Sequence, residues 1–170
     1  MATAFVASKG GYIRPYRNVR LRTYPEAASQ TFRIGDPLIK QTTADKGNQV
    51  KISAADPTTG TVVGFAAAAA SGTEGTSIPV WMLDEQSEFV VHIQDAATLD
   101  NDDIGVDYGI VADGTNQIWR VDNTETTSKV FSPVDFGPKP DGSAGKCAHG
   151  DTNGTYVVRS ARGGQAILKS

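Results

Sequence analysis

Cysteine and histidine, the side chains that most often build thiol and metal sites, are almost absent from this sequence. The 170 residues include one cysteine and two histidines. A lone Cys147 cannot form a disulfide within the chain, and no second Cys or His pair lies at the spacing of a structural zinc site. These shortages exclude disulfide-stapled folds and structural zinc modules.

Catalytic motifs are missing as well. The sequence contains no Gly-x-Ser-x-Gly elbow, no phosphate-binding glycine loop followed by Lys-Ser/Thr, and no His-Glu-x-x-His. Without a workable nucleophile, base or ligand set, we predict that the protein is not an enzyme. We also predict no catalytic residues, no cofactor-binding residues, no cofactor and no metal.

Long hydrophobic runs are absent too. The longest apolar run, residues 62–70, includes Gly64 and is far shorter than the ~20 residues of a membrane helix. The first 17 residues lack the charged-then-apolar order of a signal peptide. We therefore expect no sorting signal and no membrane partner. A length of 170 residues suits one domain, or one domain plus an arm.

Acidic side chains are scarce at both ends and concentrated in the middle. Residues 1–51 carry nine basic and three acidic side chains, residues 52–135 carry two and fourteen, and residues 136–170 carry five and two. Basic ends around an acidic middle favour contact between copies of the chain or with an acidic neighbour. Solvated faces would give the same pattern. The acidic middle would repel phosphates, so we expect no nucleic-acid partner.

The first 25 residues predict an extended basic arm. No acid precedes Glu26, and both Gly10-Gly11 and Pro15 interrupt any helical pattern. Because Tyr and Arg are good interface anchors, we predict that arm 1–25 clamps a neighbouring protein, while 26–170 forms a single β-rich body. The alternative is an edge strand with solvated arginines. The predicted contact residues are Tyr12, Arg14, Tyr16, Arg17, Arg20, Arg22 and Tyr24.

Three apolar segments lie between residues 61 and 94 and organise the chain. In the last, 89–93, Phe89, Val91 and Ile93 fall on one face and the polar residues Glu88, His92 and Gln94 on the other, which is typical of a half-buried strand. The second, 78–83, is apolar on both faces and therefore needs two covers. We expect Ile78, Val80 and Met82 to fill the core. We expect Trp81 and Leu83, on the other face, to form the self-association surface.

Short segments bounded by Gly, Asp, Asn and Pro recur through the rest of the chain. This spacing predicts a mainly β fold: a compact antiparallel β-barrel or sandwich-like body with an extended N-terminal arm. The alanines at 66–70 are expected to end a buried strand, with one helical turn as the alternative. Strands are predicted near residues 38–39, 50–52, 62–66, 78–83, 89–93, 106–110, 117–121 and 155–160.

A cluster of carboxylates follows the central stretch, at residues 95–103. Ca²⁺ takes hard oxygen ligands of this kind. The spacing nevertheless lacks the regular ligands and distal Glu of an EF-hand loop, so we predict a solvated acidic loop. Its carboxylates are Asp95, Asp100, Asp102 and Asp103.

The order of segments resembles a known group. GDPL is followed by TVVGFAAAAASGTEGTSIPVWML and EFVVHI, and then by IGVDYGIV, IWRV and DTNGTYVVR. This order is similar to the head decoration, or cement, proteins of tailed double-stranded-DNA bacteriophages, over about residues 35–159. The resemblance implies a compact β-barrel-like body on the outer surface of the virion capsid, a homotrimer, that clamps adjacent major capsid protein subunits. It carries over no catalytic residues.

Two other classes remain open. One is another virion structural part, such as a tail or fibre component. The other is an oligosaccharide-binding β-module, suggested by Trp81 and Trp119 with carboxylates nearby. Sugar sites use exposed aromatic platforms, whereas decoration proteins use aromatics in subunit contacts, so quenching of tryptophan fluorescence by a panel of glycans would separate the classes.

Overall fold

The computed structural model describes residues 13–41, 43, 47–54, 56–94, 96–112 and 118–161. Strands dominate these ranges, and the one helical element among them is a 3₁₀ turn at Asn101–Asp103. The prediction of a mainly β, antiparallel body is confirmed. The strands are β1 (Arg14–Arg17), β2 (Leu21–Pro25), β3 (Pro37–Lys40), β4 (Val50–Ile52), β5 (Val62–Ala66), β6 (Ser77–Met82), β7 (Glu88–His92), β8 (Gly109–Ala112), β9 (Trp119–Asp122), β10 (Phe131–Phe136) and β11 (Thr155–Ser160).

The strands form three antiparallel sheets. Sheet 1 has the order β1-β7-β11-β10, sheet 2 the order β2-β6-β5-β3-β4, and sheet 3 consists of β8 and β9. Sheets 1 and 2 each begin with one of the first two strands, so the N-terminal segment crosses from the edge of one sheet to the edge of the other. In the described ranges, no helix has the length and apolar character needed to cross a membrane.

A central core lies between the sheets and holds them together. Phe65 of sheet 2 contacts Phe89 of sheet 1 edge-on, with ring centroids 4.8 Å apart. It stacks on Phe131, also of sheet 1, at 5.6 Å. All three rings are fully buried. The body is therefore sandwich-like, and the described strands do not close into a barrel. Within the described ranges, the outer strands of sheet 2 approach each other at a bridge between Glu26 and Val50.

A second, smaller core lies on the other face of sheet 2. It contains Ile78, Val80 and Met82, as the alternation in β6 predicts, together with Phe32 from the segment before β3. The opposite face of β6 packs Trp81 against the central core. Both covers that β6 needs thus come from the chain itself.

The predicted self-association surface requires a correction. Leu83 is only 7% exposed and belongs to the central core, so it cannot face a second copy. Trp81 packs against the same core but stays partly exposed. Its pairing partner on the neighbouring strand β2 is Leu21, which is 60% exposed.

The predicted arm also requires a correction. Residues 14–17 pair with β7 and residues 21–25 pair with β6, while Ile13 is fully buried in the central core. Over residues 13–25 the chain is therefore part of the two sheets rather than a free arm. The predicted boundary between residues 25 and 26 does not separate an arm from the body, because sheet 2 continues from β2 to the bridge between Glu26 and Val50. Tyr12 and the residues before it lie outside the described ranges.

Gly64 permits the close approach of β5 and β6. A Cβ at this position would overlap the Trp81 carbonyl oxygen and lie 2.9 Å from a methyl carbon of Val80. Ala66 ends β5 as a fully buried residue, which confirms that the alanine run closes a buried strand. Small side chains are needed here because sheet 2 is covered on both faces.

Candidate functional site

The strongest candidate is an exposed basic surface formed by β1, β2 and the link between them. We call residues 14–24 the basic edge, since both strands lie at sheet edges. Its arginines are all exposed, and no acidic residue occurs between 13 and 25. The arginines are Arg14, Arg17, Arg20 and Arg22.

The chain is fixed at the start of the basic edge and again in the link between its two strands. Ile13 anchors the start in the central core, and Val19 packs against that core in the link. Asn18 turns the chain between the two strands with a φ of 53°, a conformation that Asn tolerates better than most residues. The basic edge is therefore a positioned surface, on which the arginines point away from fixed backbone.

The arginines differ in how much of their charge is neutralised. Arg20 donates two hydrogen bonds to one carboxylate oxygen of Asp84, at 3.0 and 2.6 Å. The Arg17 guanidinium lies over the Tyr16 ring, 4.9 Å from its centroid. No carboxylate within the described ranges pairs with Arg14, Arg17 or Arg22. Three of the four positive charges are thus available to a partner.

Asp84 stays ionised and holds Arg20 in place. Burial works against the charged form, but hydrogen bonds from the Ser87 hydroxyl, from Arg20 and from the backbone N–H groups of Gln86 and Ser87 outweigh it. The pKa of the Asp84 carboxyl is therefore lowered. Because Asp84 neutralises its charge, Arg20 contributes to the shape of the basic edge more than to its positive charge.

Apolar side chains lie among these charges. Leu21 is 60% exposed and Tyr16 is 38% exposed. Tyr24 is half-buried against the second core, and the Lys40 ammonium lies 5.8 Å from its ring centroid. A surface that mixes Arg with exposed Tyr and Leu has the composition of a protein interface. Of the predicted contact residues, Arg14, Tyr16, Arg17 and Arg22 remain open, Arg20 is paired and Tyr24 is partly covered.

Glu26 fixes the C-terminal end of β2, and sequence reasoning missed this role. Its side chain is fully buried. One carboxylate oxygen accepts from the Ser71 N–H (2.9 Å) and hydroxyl (2.7 Å), and the other from the Gly72 N–H (2.8 Å). Burial opposes ionisation, but these hydrogen bonds prevail and lower the pKa of Glu26. Its position directly after an apparent arm gave no sign of partners 45 residues away.

We expect Glu26→Gln to destabilise the protein at neutral pH by about 1–3 kcal/mol, because an amide donor would replace an acceptor that buried N–H groups need. The wild-type contribution is fully present above the ordinary carboxyl pKa of 4.5 and is lost as pH falls through the lowered folded value. Urea unfolding at pH 7 and pH 3 should therefore show a smaller gap between wild type and variant at pH 3. Exposed Glu85→Gln is the control. An equal gap at both pH values would contradict the assignment.

The acidic loop contains a structural carboxylate. Asp103 is buried and accepts hydrogen bonds from the hydroxyls of Tyr108 (2.7 Å) and Tyr156. Burial is the larger cause and the hydrogen bond that each hydroxyl donates to Asp103 is the second, and both raise the pKa of the two phenols. Asp100 caps the 3₁₀ turn by accepting from the Asp102 N–H. No three potential metal ligands cluster in the described part of the chain, and Asp95 lies outside it.

The two tryptophans do not form a pair of exposed platforms. Trp119 is 5% exposed and belongs to the central core. Trp81 is half-buried against the central core. One of the two aromatic residues that suggested an oligosaccharide site is thus a core residue.

Comparison of the chain with protein-family models, with curated proteins and with solved structures finds no match.

Proposed function

We propose that this protein is a structural component of a tailed-phage virion that decorates and stabilises the capsid from outside. It would clamp adjacent major capsid protein subunits and act as a homotrimer. The observation that carries the proposal is the basic edge, a fixed surface with three uncompensated arginines and two exposed apolar side chains. The segment order that resembles head decoration proteins supplies the class of partner.

The rest of the molecule is compatible with this role. Two cores inside a chain of 170 residues give a rigid body, and a rigid body can bridge two subunits without losing much entropy on binding. The basic edge suits an acidic outer capsid surface. Self-association would use the exposed part of Trp81, since Leu83 is buried.

A tail or fibre component remains the alternative, because it would have a similar β-rich body. No observation favours the oligosaccharide-binding alternative now that Trp119 lies in the core. The two virion roles differ in where the protein binds on the particle.

Charge removal tests the proposal. We expect the double variant Arg14→Gln and Arg22→Gln to bind shells that lack the protein roughly two- to thirtyfold more weakly, because an exposed ion pair contributes about 0.2–1 kcal/mol. Co-sedimentation at two salt concentrations would measure it. Wild-type binding should weaken as salt rises, because exposed charges are screened over about 8 Å at physiological ionic strength.

The matched control removes two positive charges elsewhere, with Lys129→Gln and Lys139→Gln. It should bind as wild type does. Equal losses in both double variants would mean that net charge, and not the basic edge, governs attachment. Absence of wild-type binding to shells, with binding to tails instead, would favour the alternative.

A further inference from the structure

We infer that β2 recognises its partner by strand addition: an extended, acidic segment of the partner pairs with the open edge of β2. The partner's identity as a capsid protein rests on the proposed function. The open edge and its chemistry follow from the hydrogen bonds of sheet 2.

The hydrogen bonds of β2 show which of its backbone groups are open. The Arg20 carbonyl accepts from the Met82 N–H at 2.8 Å, and the Glu26 N–H donates to the Thr76 carbonyl at 2.8 Å. The register between these two pairs is continuous. Hydrogen-bonded and non-bonded pairs alternate along an antiparallel ladder. The N–H and C=O groups of Leu21 and Thr23 therefore point away from β6, and no group in the described ranges bonds to them.

The outer edges of β4 and β10 are covered within the described ranges, in contrast to the open edge of β2. At the β4 edge, the Val50 carbonyl accepts from the Ala27 N–H at 2.9 Å, and the Ile52 N–H donates to the Gln30 side chain at 2.9 Å. The edge of β10 is covered by residues 105–108, whose first N–H donates to the Pro133 carbonyl at 2.8 Å. Open strand edges pair readily with other chains, and proteins usually cover them.

The side chains of β2 define what an added strand should look like. Arg20 and Arg22 lie on one face, while Leu21 and Thr23 lie on the other, beside Trp81 and Pro79. Neighbouring residues on paired strands share a face. A matching segment would carry carboxylates on the arginine face and apolar or β-branched residues on the opposite face. Strand addition takes affinity from the main chain and specificity from this alternation.

Charge argues against a second copy as the occupant. Two β2 strands paired antiparallel would bring the arginines of both copies together on one face, and like charges directly opposite each other are destabilising. An acidic segment meets the same arginines favourably. Pro25 ends the open edge, because it has no N–H to offer.

The direct test uses the full chain and a synthetic eight-residue peptide that alternates Glu with Val. We expect the peptide to shift the amide resonances of Leu21 and Thr23 and to slow their hydrogen exchange. The same peptide with Lys in place of Glu, or with alternate amides N-methylated, should bind at least tenfold more weakly. Shifts at these amides that depend on protein concentration without peptide would show that a second copy is the occupant, and would overturn the inference.

A backbone variant separates strand addition from simple charge attraction. Thr23→Pro removes one open N–H and leaves the bonds to β6 intact, so it should weaken binding to shells at least tenfold with an unchanged melting temperature. Thr23→Val keeps the N–H and should bind normally. Normal binding by Thr23→Pro, with loss in the arginine variant, would overturn strand addition while leaving the proposed function in place. If wild type fails to bind shells, the proposed function is wrong, and the peptide titration still decides the edge. If Thr23→Pro unfolds, the N-methylated peptide decides it.

Discussion

Phe65→Ala should lower the free energy of unfolding by about 3–5 kcal/mol, the usual cost of removing a fully buried aromatic ring. Phe65 is the ring through which sheet 2 meets sheet 1, because it contacts Phe89 at 4.8 Å and Phe131 at 5.6 Å. The substitution deletes both ring contacts and leaves a cavity between the sheets. Surrounding strands cannot collapse into this cavity, since β5 is covered on both faces.

Urea unfolding followed by tryptophan fluorescence would measure the loss. Phe136→Ala is the matched control, because Phe136 is the same residue type but only partly buried at the periphery of the central core. It stacks on Tyr156 at 6.0 Å and should cost clearly less. Equal losses for the two variants would mean that the three-ring cluster does not hold the sheets together.

Gly64→Ala should destabilise the protein by about 1–3 kcal/mol, the usual cost of overpacking. The added methyl would overlap the Trp81 carbonyl and press on Val80. Both contacts belong to β6, and a backbone carbonyl in a ladder cannot move without breaking the pairing of β5 with β6. The substitution therefore acts on the centre of sheet 2 and not on a flexible side chain.

Thermal unfolding of Gly64→Ala beside Gly47→Ala isolates this effect. A Cβ on Gly47 would meet nothing within 4 Å, so that substitution should change stability by no more than about 0.5 kcal/mol. A Gly64→Ala protein as stable as wild type would show that β5 and β6 are farther apart than described.

The alternation near residues 89–93 and the turn signal before residue 155 each predicted a strand, and both strands form. The first is not half-buried as expected, because Glu88 and Val90, on the face expected to be solvated, are buried. The two apolar faces of β6 correctly predicted that two covers were needed. They could not show which residues provide them, because the second core is completed by Phe32, which is distant in sequence.

An arm was favoured over the alternative of an edge strand because the composition of β1 and β2 reflects exposure and not pairing. Every residue of β1 is exposed, and β2 carries Arg, Thr and Pro where a central strand would carry Val or Ile. Such strands lack the period-two hydrophobic pattern, so the sequence pattern does not distinguish an edge strand from an extended arm. Of the residues predicted for the contact surface, Arg14, Tyr16, Arg17 and Arg22 are exposed on the sheet edges, whereas Tyr24 is half-buried.

Long-range polar contacts were beyond sequence reasoning altogether. The carboxylate of Asp103 is bonded to Tyr156, 53 positions away, and Glu26 is bonded to Ser71 and Gly72. In the sequence Asp103 looks like a member of a solvated acidic cluster, and Glu26 looks like an isolated acid after a basic segment. Only the fold separates a carboxylate that fixes a loop from one that faces solvent.

Electron cryomicroscopy of shells incubated with the purified protein tests the central claim most directly. The account predicts a density of about the size of this body on the outer surface of the capsid, with the basic edge facing the capsid protein and an added strand beside β2. Density on the tail alone, no density on the shell, or a body oriented with residues 14–24 toward solvent would contradict it.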